Sequence, residues 1–110
     1  MPTTIVSKVE RLSRFKNLHA KLTFLATGSE SGYPCEDMHK PCLRILKAFG
    51  SERCIWGSDF PCELWTPRVS YKDNLRLFTE ALPLSEKDRM AILGTTARRL
   101  FFPSLNEGGD

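Results

Sequence analysis

Apolar and polar positions along the chain follow two periods, one typical of helices and one typical of strands. Apolar residues at helical spacing predict helices over residues 5–15, 37–49 and 70–82. Alternating apolar and polar residues predict a strand over residues 18–25, and a short apolar run predicts a second strand over residues 53–57. Because the two strands are joined through a helix, the pattern favours a parallel βαβ unit.

Polar residues and glycines predict where the helices begin and end. Asp37 is expected to cap the 37–49 helix with its carboxylate, and Gly50 is expected to end it. Ser70 and Ser85 are each followed three residues later by an aspartate, which resembles a capping box. Two further helices are therefore predicted to start after these serines.

The last helical region is predicted to be broken into two pieces. Gly94 is expected to interrupt the helix that follows Ser85, so that Thr95 or Thr96 caps a last short helix. The residues that this short helix is expected to bury are Ala97, Leu100 and Phe101.

Two parallel strands do not form a stable sheet without further cover, since both faces and both edges need partners. Additional strands come either from another copy or from a larger sheet, and the larger sheet is the simpler interpretation. The chain has 110 residues, enough for one domain with a real core, and a polar tail over residues 104–110 is expected to be flexible.

Charge and composition narrow the classes of protein. The net charge is +3, and the basic residues are interleaved with acids, so nucleic-acid binding is not expected. No apolar run approaches the ~18 residues of a membrane span, and the first 15 residues lack the apolar segment of a signal peptide. We therefore expect no membrane association, a cytoplasmic location, and thiols rather than disulfides for the four cysteines.

Asp59 is the strongest candidate for chemistry. It stands directly beyond the C-terminal end of the predicted 53–57 strand, where α/β folds place their active sites. Gly57 lacks a side chain just before it and leaves space for a ligand or metal ion. The alternative from position alone is that Asp59 only braces a turn.

Three ordered motifs resemble the amidohydrolase superfamily, in its amidohydrolase-2 branch. Residues 48–61 combine a helix ending Ala-Phe-Gly, an arginine, and Gly-Ser-Asp-Phe-Pro, which is similar to the family's last barrel strand. Residues 17–23 are similar to the preceding strand. Residues 92–101 are similar to the terminal motif, with Thr96 in place of the usual Asn. The resemblance covers roughly residues 6–102.

The resemblance implies an α/β fold, the C-terminal part of a (β/α)8 TIM barrel. Such barrels need about 250 residues, so residues 1–103 would supply strands seven and eight with their closing helices. In the family, a His-x-His pair on the first strand, further histidines on middle strands and the strand-eight aspartate bind a divalent metal ion, with zinc expected. Only Asp59 matches that set in this chain.

The resemblance also implies a metal-dependent hydrolase acting on C–N, C–O or lactone bonds of a small molecule, or a decarboxylase. Asp59 would bind the metal and act as general base and then general acid. The 110 residues alone are expected to be inactive.

Other side chains are secondary candidates. In the loop after the second strand, Glu63, Trp65 and Arg68 are candidate substrate contacts, with loop packing as the alternative. Alternation predicts that Lys21 and Thr23 point inward in a barrel.

Two other classes stay open. One is a small zinc module, although its potential ligands do not follow a common zinc spacing; they are Cys35, His39, Cys42, Cys54 and Cys62. The other is a non-catalytic barrel remnant that associates with itself as a homo-oligomer through its uncovered strand edges and helix faces.

Overall fold

The computed structural model describes residues 2–64 and 68–104 as helices packed on a small parallel sheet. The elements are α1 (Thr3–Leu12), β1 (Ala20–Leu22), α2 (Leu25–Gly28), α3 (His39–Phe49), β2 (Cys54–Trp56), α4 (Tyr71–Arg76), α5 (Glu86–Met90) and α6 (Thr96–Phe101). Single 3₁₀ turns precede α3 and β2, at Glu36–Met38 and Ser51–Arg53. Segments of π-helix follow α4 and α5, at Leu77–Ala81 and Ala91–Thr95.

The two strands run parallel and are joined through α3, which confirms the predicted βαβ unit. Ala20 lies opposite Cys54, and Leu22 lies opposite Trp56. Leu22 and Cys54 are buried against the helices, whereas Lys21, on the other face of β1, is exposed. Among the described residues each strand pairs only with the other, so each keeps one open edge. This arrangement is consistent with part of a TIM barrel.

The core forms between the sheet and the helices. The five residues predicted for the apolar face of the 37–49 helix are all buried, and they are Met38, Cys42, Ile45, Leu46 and Phe49. From α1, Val6 reaches the same core. Helices α1 and α3 are joined at their surface, where the Arg44 Nε donates to Glu10 Oε2 at 3.0 Å. In the part of the chain that the structure describes, no helix is long and apolar enough to cross a bilayer.

Several predicted boundaries change. Strand β1 is three residues long, and Leu25–Gly28 forms a helical turn where the 18–25 strand was expected to end. Helix α1 begins at Thr3 and ends at Leu12, before the predicted end at residue 15. The predicted caps of the next helices are confirmed, since the Ser70 hydroxyl accepts from the Asp73 N–H and the Ser85 hydroxyl accepts from the Asp88 N–H.

The prediction that Asp37 caps the helix was wrong. Its carboxylate points back to the preceding loop and accepts hydrogen bonds from the Ser29 hydroxyl at 2.7 Å and the Glu30 N–H at 2.9 Å. The Ser31 hydroxyl donates to the same carboxylate at 3.0 Å. Asp37 therefore closes the loop after β1 and leaves the first turn of α3 without a side-chain cap.

The predicted break at Gly94 was also wrong. The chain continues from α5 through the π-helical segment into α6, and Thr95 has helical backbone angles with no capping hydrogen bond. Thr96 is fully buried, and its hydroxyl donates to the Ser51 carbonyl at 2.7 Å. This bond ties α6 to the turn that precedes β2. Phe101, which was expected to be buried, is exposed.

We expect Thr96→Val to lower the free energy of unfolding by about 1 kcal/mol, the net worth of one buried hydrogen bond. The Ser51 carbonyl would keep its second donor, the Cys54 N–H, which limits the loss. Thr96→Ser keeps the hydroxyl and serves as the control. Urea unfolding of the three proteins measures the difference, and equal midpoints for Thr96→Val and wild type would contradict the assignment.

Candidate functional site

Asp59 lies in a turn directly beyond the C-terminal end of β2. Its backbone has φ of +58°, in the left-handed region that few non-glycine residues adopt. The side chain is exposed, and no hydrogen bond or ion pair to its carboxylate is found among the described residues. A carboxylate in this state is available to a metal ion or a substrate.

The sheet face below Asp59 is closely packed at Gly57. A Cβ atom built on Gly57 would lie 2.7 Å from Thr23 Cγ2 and 3.8 Å from Lys21 Cε. Both side chains therefore stand on the same face of the sheet as Gly57, opposite the helix-covered face of Leu22. The alternation predicted for Lys21 and Thr23 is confirmed, and the long Lys21 chain reaches toward the strand end that carries Asp59.

Gly57→Ala is expected to destabilise the chain by about 2 kcal/mol, because 2.7 Å is well inside the contact distance of two carbon atoms. The β-branched Thr23 has little freedom to move away. Thr23→Ser removes the opposing methyl group, so the double variant should recover most of the loss. Melting temperatures of the wild type, the two single variants and the double variant measure this coupling. A Gly57→Ala penalty that persists unchanged beside Thr23→Ser would contradict the steric account.

Helix α4 holds the turn from the side of the core. Asn74 is 4% exposed, and its Nδ2 donates to the Ser58 carbonyl at 3.0 Å. Within the turn, the Phe60 N–H donates to the Ser58 hydroxyl at 3.1 Å. Sequence analysis missed Asn74, because an asparagine within a predicted helix gives no sign of its partner. The one signal in the sequence was its position three residues after Tyr71 and four before Phe78, which indicates a polar side chain on the apolar face of the helix but does not identify its partner.

Aromatic side chains complete the support of the turn. The Phe60 and Tyr71 rings meet edge to face with centroids 5.3 Å apart, and Tyr71 meets Trp56 in the same manner at 6.3 Å. The buried Trp56 indole N–H has no hydrogen-bond partner in the described part of the chain. Through these contacts the start of α4 packs on both β2 and the residue after Asp59.

The residues proposed to contact substrate have different placements. Arg68 joins two loops, since its guanidinium donates to the Ser29 carbonyl at 3.0 Å and to the Leu64 carbonyl at 3.1 Å. This geometry is loop packing, the alternative weighed for Arg68. Glu63 is exposed in the loop after β2. Trp65 lies outside the described residues.

The loop after β1 is held at its other end by Asp37. The Ser29 hydroxyl and the Glu30 N–H stabilise the ionised Asp37 carboxyl and lower its pKa to about 2. Because Arg68 bonds the Ser29 carbonyl, the loops after β1 and β2 form one connected rim.

Asp59 is the candidate that the sequence gives for a ligand position of the expected metal site. Among the described residues, no three His, Cys, Asp or Glu side chains group closely enough to hold an ion. His19 bonds the Asn17 carbonyl, and His39 bonds the Pro34 carbonyl, each through a ring nitrogen. An exposed carboxylate suits a divalent cation, but one carboxylate does not hold it alone.

The cysteines do not favour a zinc module. Cys35, Cys42 and Cys54 are buried in the hydrophobic core. Burial raises the pKa of the Cys42 thiol to about 12 and that of Cys54 to about 11, which disfavours the thiolate that zinc requires. These three side chains act as small apolar core residues.

Two parallel strands with flanking helices, and a carboxylate just beyond the end of one strand, are consistent with part of a TIM-type α/β barrel. The chain belongs to the amidohydrolase family, whose family model, described as "Amidohydrolase", matches residues 6–102. Membership indicates in general a metal-dependent hydrolase acting on small molecules. Neither the curated proteins nor the solved structures give a significant match.

Proposed function

We propose that this chain supplies the last two βα units of a metal-dependent amidohydrolase barrel, with Asp59 as a metal ligand and proton-transfer group. The observation that carries the proposal is the placement of Asp59, exposed and unpaired within the described residues, at the C-terminal end of β2. The other ligands would come from strands that the 110 residues do not contain. Residues 1–103 would form the barrel portion.

The chemistry assigned to Asp59 follows from its position. The family's divalent ion, for which we propose zinc, would act as a Lewis acid and lower the pKa of a water bound to it toward neutrality. Asp59 would accept a proton from the attacking water as general base and would return it to the leaving group as general acid. The bond cleaved in a small-molecule substrate would be C–N, C–O or lactone.

The open edge of β1 supports the barrel proposal. A groove of about 360 Å³ runs along this edge between α1 and α3. Its apolar lining includes Val9, Leu12, Leu18, Ile45 and Phe49. In a barrel, a preceding parallel strand would pair with β1 and cover the exposed Leu12 and Leu18 side chains.

The lining of the rim is part of the same proposal. Glu63 remains a proposed substrate contact, and its exposure in the loop that follows Asp59 supports this role. Arg68 contributes by holding the two loops together, and Trp65 remains a proposed contact on sequence grounds. We propose a cytoplasmic location for the assembled enzyme.

The purified 110-residue protein is expected to show no zinc-dependent hydrolysis of amide, ester or lactone substrates above the rate of zinc ion alone. A single carboxylate cannot hold the ion in place, so the catalytic gain from positioning is missing. A chelator-treated sample and an Asp59→Asn variant are the controls. Turnover that the chelator abolishes and Asp59→Asn removes would contradict the need for further strands.

The apolar groove also favours a second candidate, a barrel remnant that associates with itself. Exposed Leu12 and Leu18 at the β1 edge would then be covered by another copy. Light scattering distinguishes the two. If the chain is not part of a longer translation product and forms a stable oligomer, the remnant is favoured. If the chain is a monomer that gains activity when the missing strands are supplied, the enzyme is favoured.

A further inference from the structure

We propose that Asn74 is a positioning residue for Asp59, an inference that rests on the function proposed for that carboxylate. Asn74 belongs to α4, and Asp59 belongs to the turn after β2. The two are linked through the Ser58 carbonyl, which accepts from Asn74 Nδ2 at 3.0 Å. Asn74 does not reach the reacting atoms and acts through the backbone of the turn.

The conformation of Asp59 requires such a restraint. With φ of +58°, its backbone is in a region that only glycine enters without strain, and aspartate, although it tolerates this region better than most L-residues, adopts it uncommonly. A left-handed residue persists only when its surroundings hold it. Among the described residues, the restraints on this turn include the Asn74 bond to Ser58, the bond from the Phe60 N–H to the Ser58 hydroxyl, and the packing of Phe60 on Tyr71.

Asn74 is suited to be the principal restraint of the three. It is 4% exposed, so its hydrogen bond does not compete with solvent, whereas Phe60 is exposed. It also lies one helical turn after the Ser70 cap, and α4 is fixed there by the contact of Tyr71 with Trp56. The amide of Asn74 thereby transmits the position of the helix to the peptide unit that precedes Asp59.

The proposal has a consequence for stability that a plain structural bond would not have. Glycine adopts a positive φ without strain, and this relief outweighs the entropy that glycine adds to the unfolded chain, so Asp59→Gly should raise the melting temperature slightly while Asn74 holds the turn in the left-handed form. Once Asn74→Ala releases the turn, Asp59 can relax to negative φ, and Asp59→Gly should give little or no gain. The two substitutions are therefore expected to be coupled.

The test is made on the 110-residue chain with isotope labels. The three-bond HN–Hα coupling and the carbon shifts of Asp59 report its φ in wild type and in Asn74→Ala. Melting temperatures of the two single variants and the double variant complete the cycle. Thr96→Val, which removes a buried bond at α6, is the matched control for loss of stability elsewhere. If Asn74→Ala does not fold, Asn74→Gln is used in its place, because it keeps the amide donor but moves it by one methylene.

We expect Asn74→Ala to move Asp59 out of the left-handed region and to abolish the gain from Asp59→Gly, while Thr96→Val changes neither. Unchanged Asp59 couplings in Asn74→Ala, with an equal gain from Asp59→Gly in both backgrounds, would overturn the proposal. These readouts do not depend on activity. If Asp59→Asn leaves the activity of the assembled barrel unchanged while the Asp59 couplings respond to Asn74→Ala as expected, the proposed function is refuted and the positioning role remains.

Discussion

Asp59→Asn is expected to lower kcat of the assembled barrel by about 10²–10⁴-fold, the usual contribution of one general acid–base group. Asparagine has nearly the same shape as aspartate and also tolerates the left-handed conformation that residue 59 adopts. The variant should therefore fold with a melting temperature close to that of wild type. What it loses is the carboxylate that accepts and returns the proton.

The measurement is steady-state hydrolysis by the barrel with its metal bound, with metal content determined for each protein. Glu52→Gln is the matched control, since it neutralises an exposed carboxylate in the turn that precedes β2, at the opposite end of the strand from Asp59. It should change kcat by less than about threefold, as expected for a surface substitution. Near-normal turnover in metal-loaded Asp59→Asn would refute the assigned role.

The second large effect concerns stability and Arg53. Its guanidinium donates to four carbonyls, those of Phe49 at 3.1 Å, Phe15 at 3.0 Å, Leu18 at 3.3 Å and Ser13 at 2.9 Å. The Ser13 and Phe49 carbonyls lie at the C-terminal ends of α1 and α3, where helices leave acceptors unpaired and carry partial negative charge. One cation thus joins two helix ends and the approach to β1.

Arg53→Ala is expected to lower the free energy of unfolding by about 3 kcal/mol, since several bonds to a charged donor are lost together. The total free energy of unfolding of a chain of this size is only about 5–15 kcal/mol, so urea unfolding should show a clear shift of the midpoint. Arg53→Lys should recover only a minor part, because an ammonium group cannot span the same carbonyls.

Arg11→Ala provides the matched control for Arg53→Ala. Arg11 is an exposed arginine of α1 with no hydrogen bond or ion pair from its side chain among the described residues. It is expected to change the free energy of unfolding by no more than about 0.5 kcal/mol. Equal effects of Arg53→Ala and Arg11→Ala would show that the four carbonyl bonds do not stabilise the fold.

Hydrophobic periodicity predicted those parts of the fold that depend on burial. The βαβ order and the apolar face of α3 were correct because a buried helix face repeats along the chain with a fixed period. Cap chemistry was less well predicted. Asp37 had the right place for an N-cap, but the hydroxyls of Ser29 and Ser31 compete for its carboxylate, and the fold of the loop decides between them.

The break expected at Gly94 fails for a related reason. A glycine weakens a helix by roughly 1 kcal/mol but does not end it when tertiary contacts hold both sides. Thr96, two residues later, is anchored by its bond to Ser51, and Ile92, two residues earlier, is buried in the core. The helix therefore continues past Gly94.

The candidate site was predicted only in part. The strand-end position of Asp59 could be deduced from the sequence, because the strand and its glycine were evident there. The support from Asn74 and the use of Arg68 as a loop bridge could not be deduced, since each depends on a backbone carbonyl brought close by the fold. Carbonyl partners leave no trace in a residue pattern.

The most direct test of the central claim is the nucleotide sequence upstream of the Met1 codon in the same reading frame. We expect an open frame of roughly 150 to 200 further codons, on the basis of barrel size, with a His-x-His pair near its start. Such a frame would supply the strands and ligands that must join Asp59. A stop codon close upstream of Met1 would contradict the account, because the metal site could then not be completed within one chain.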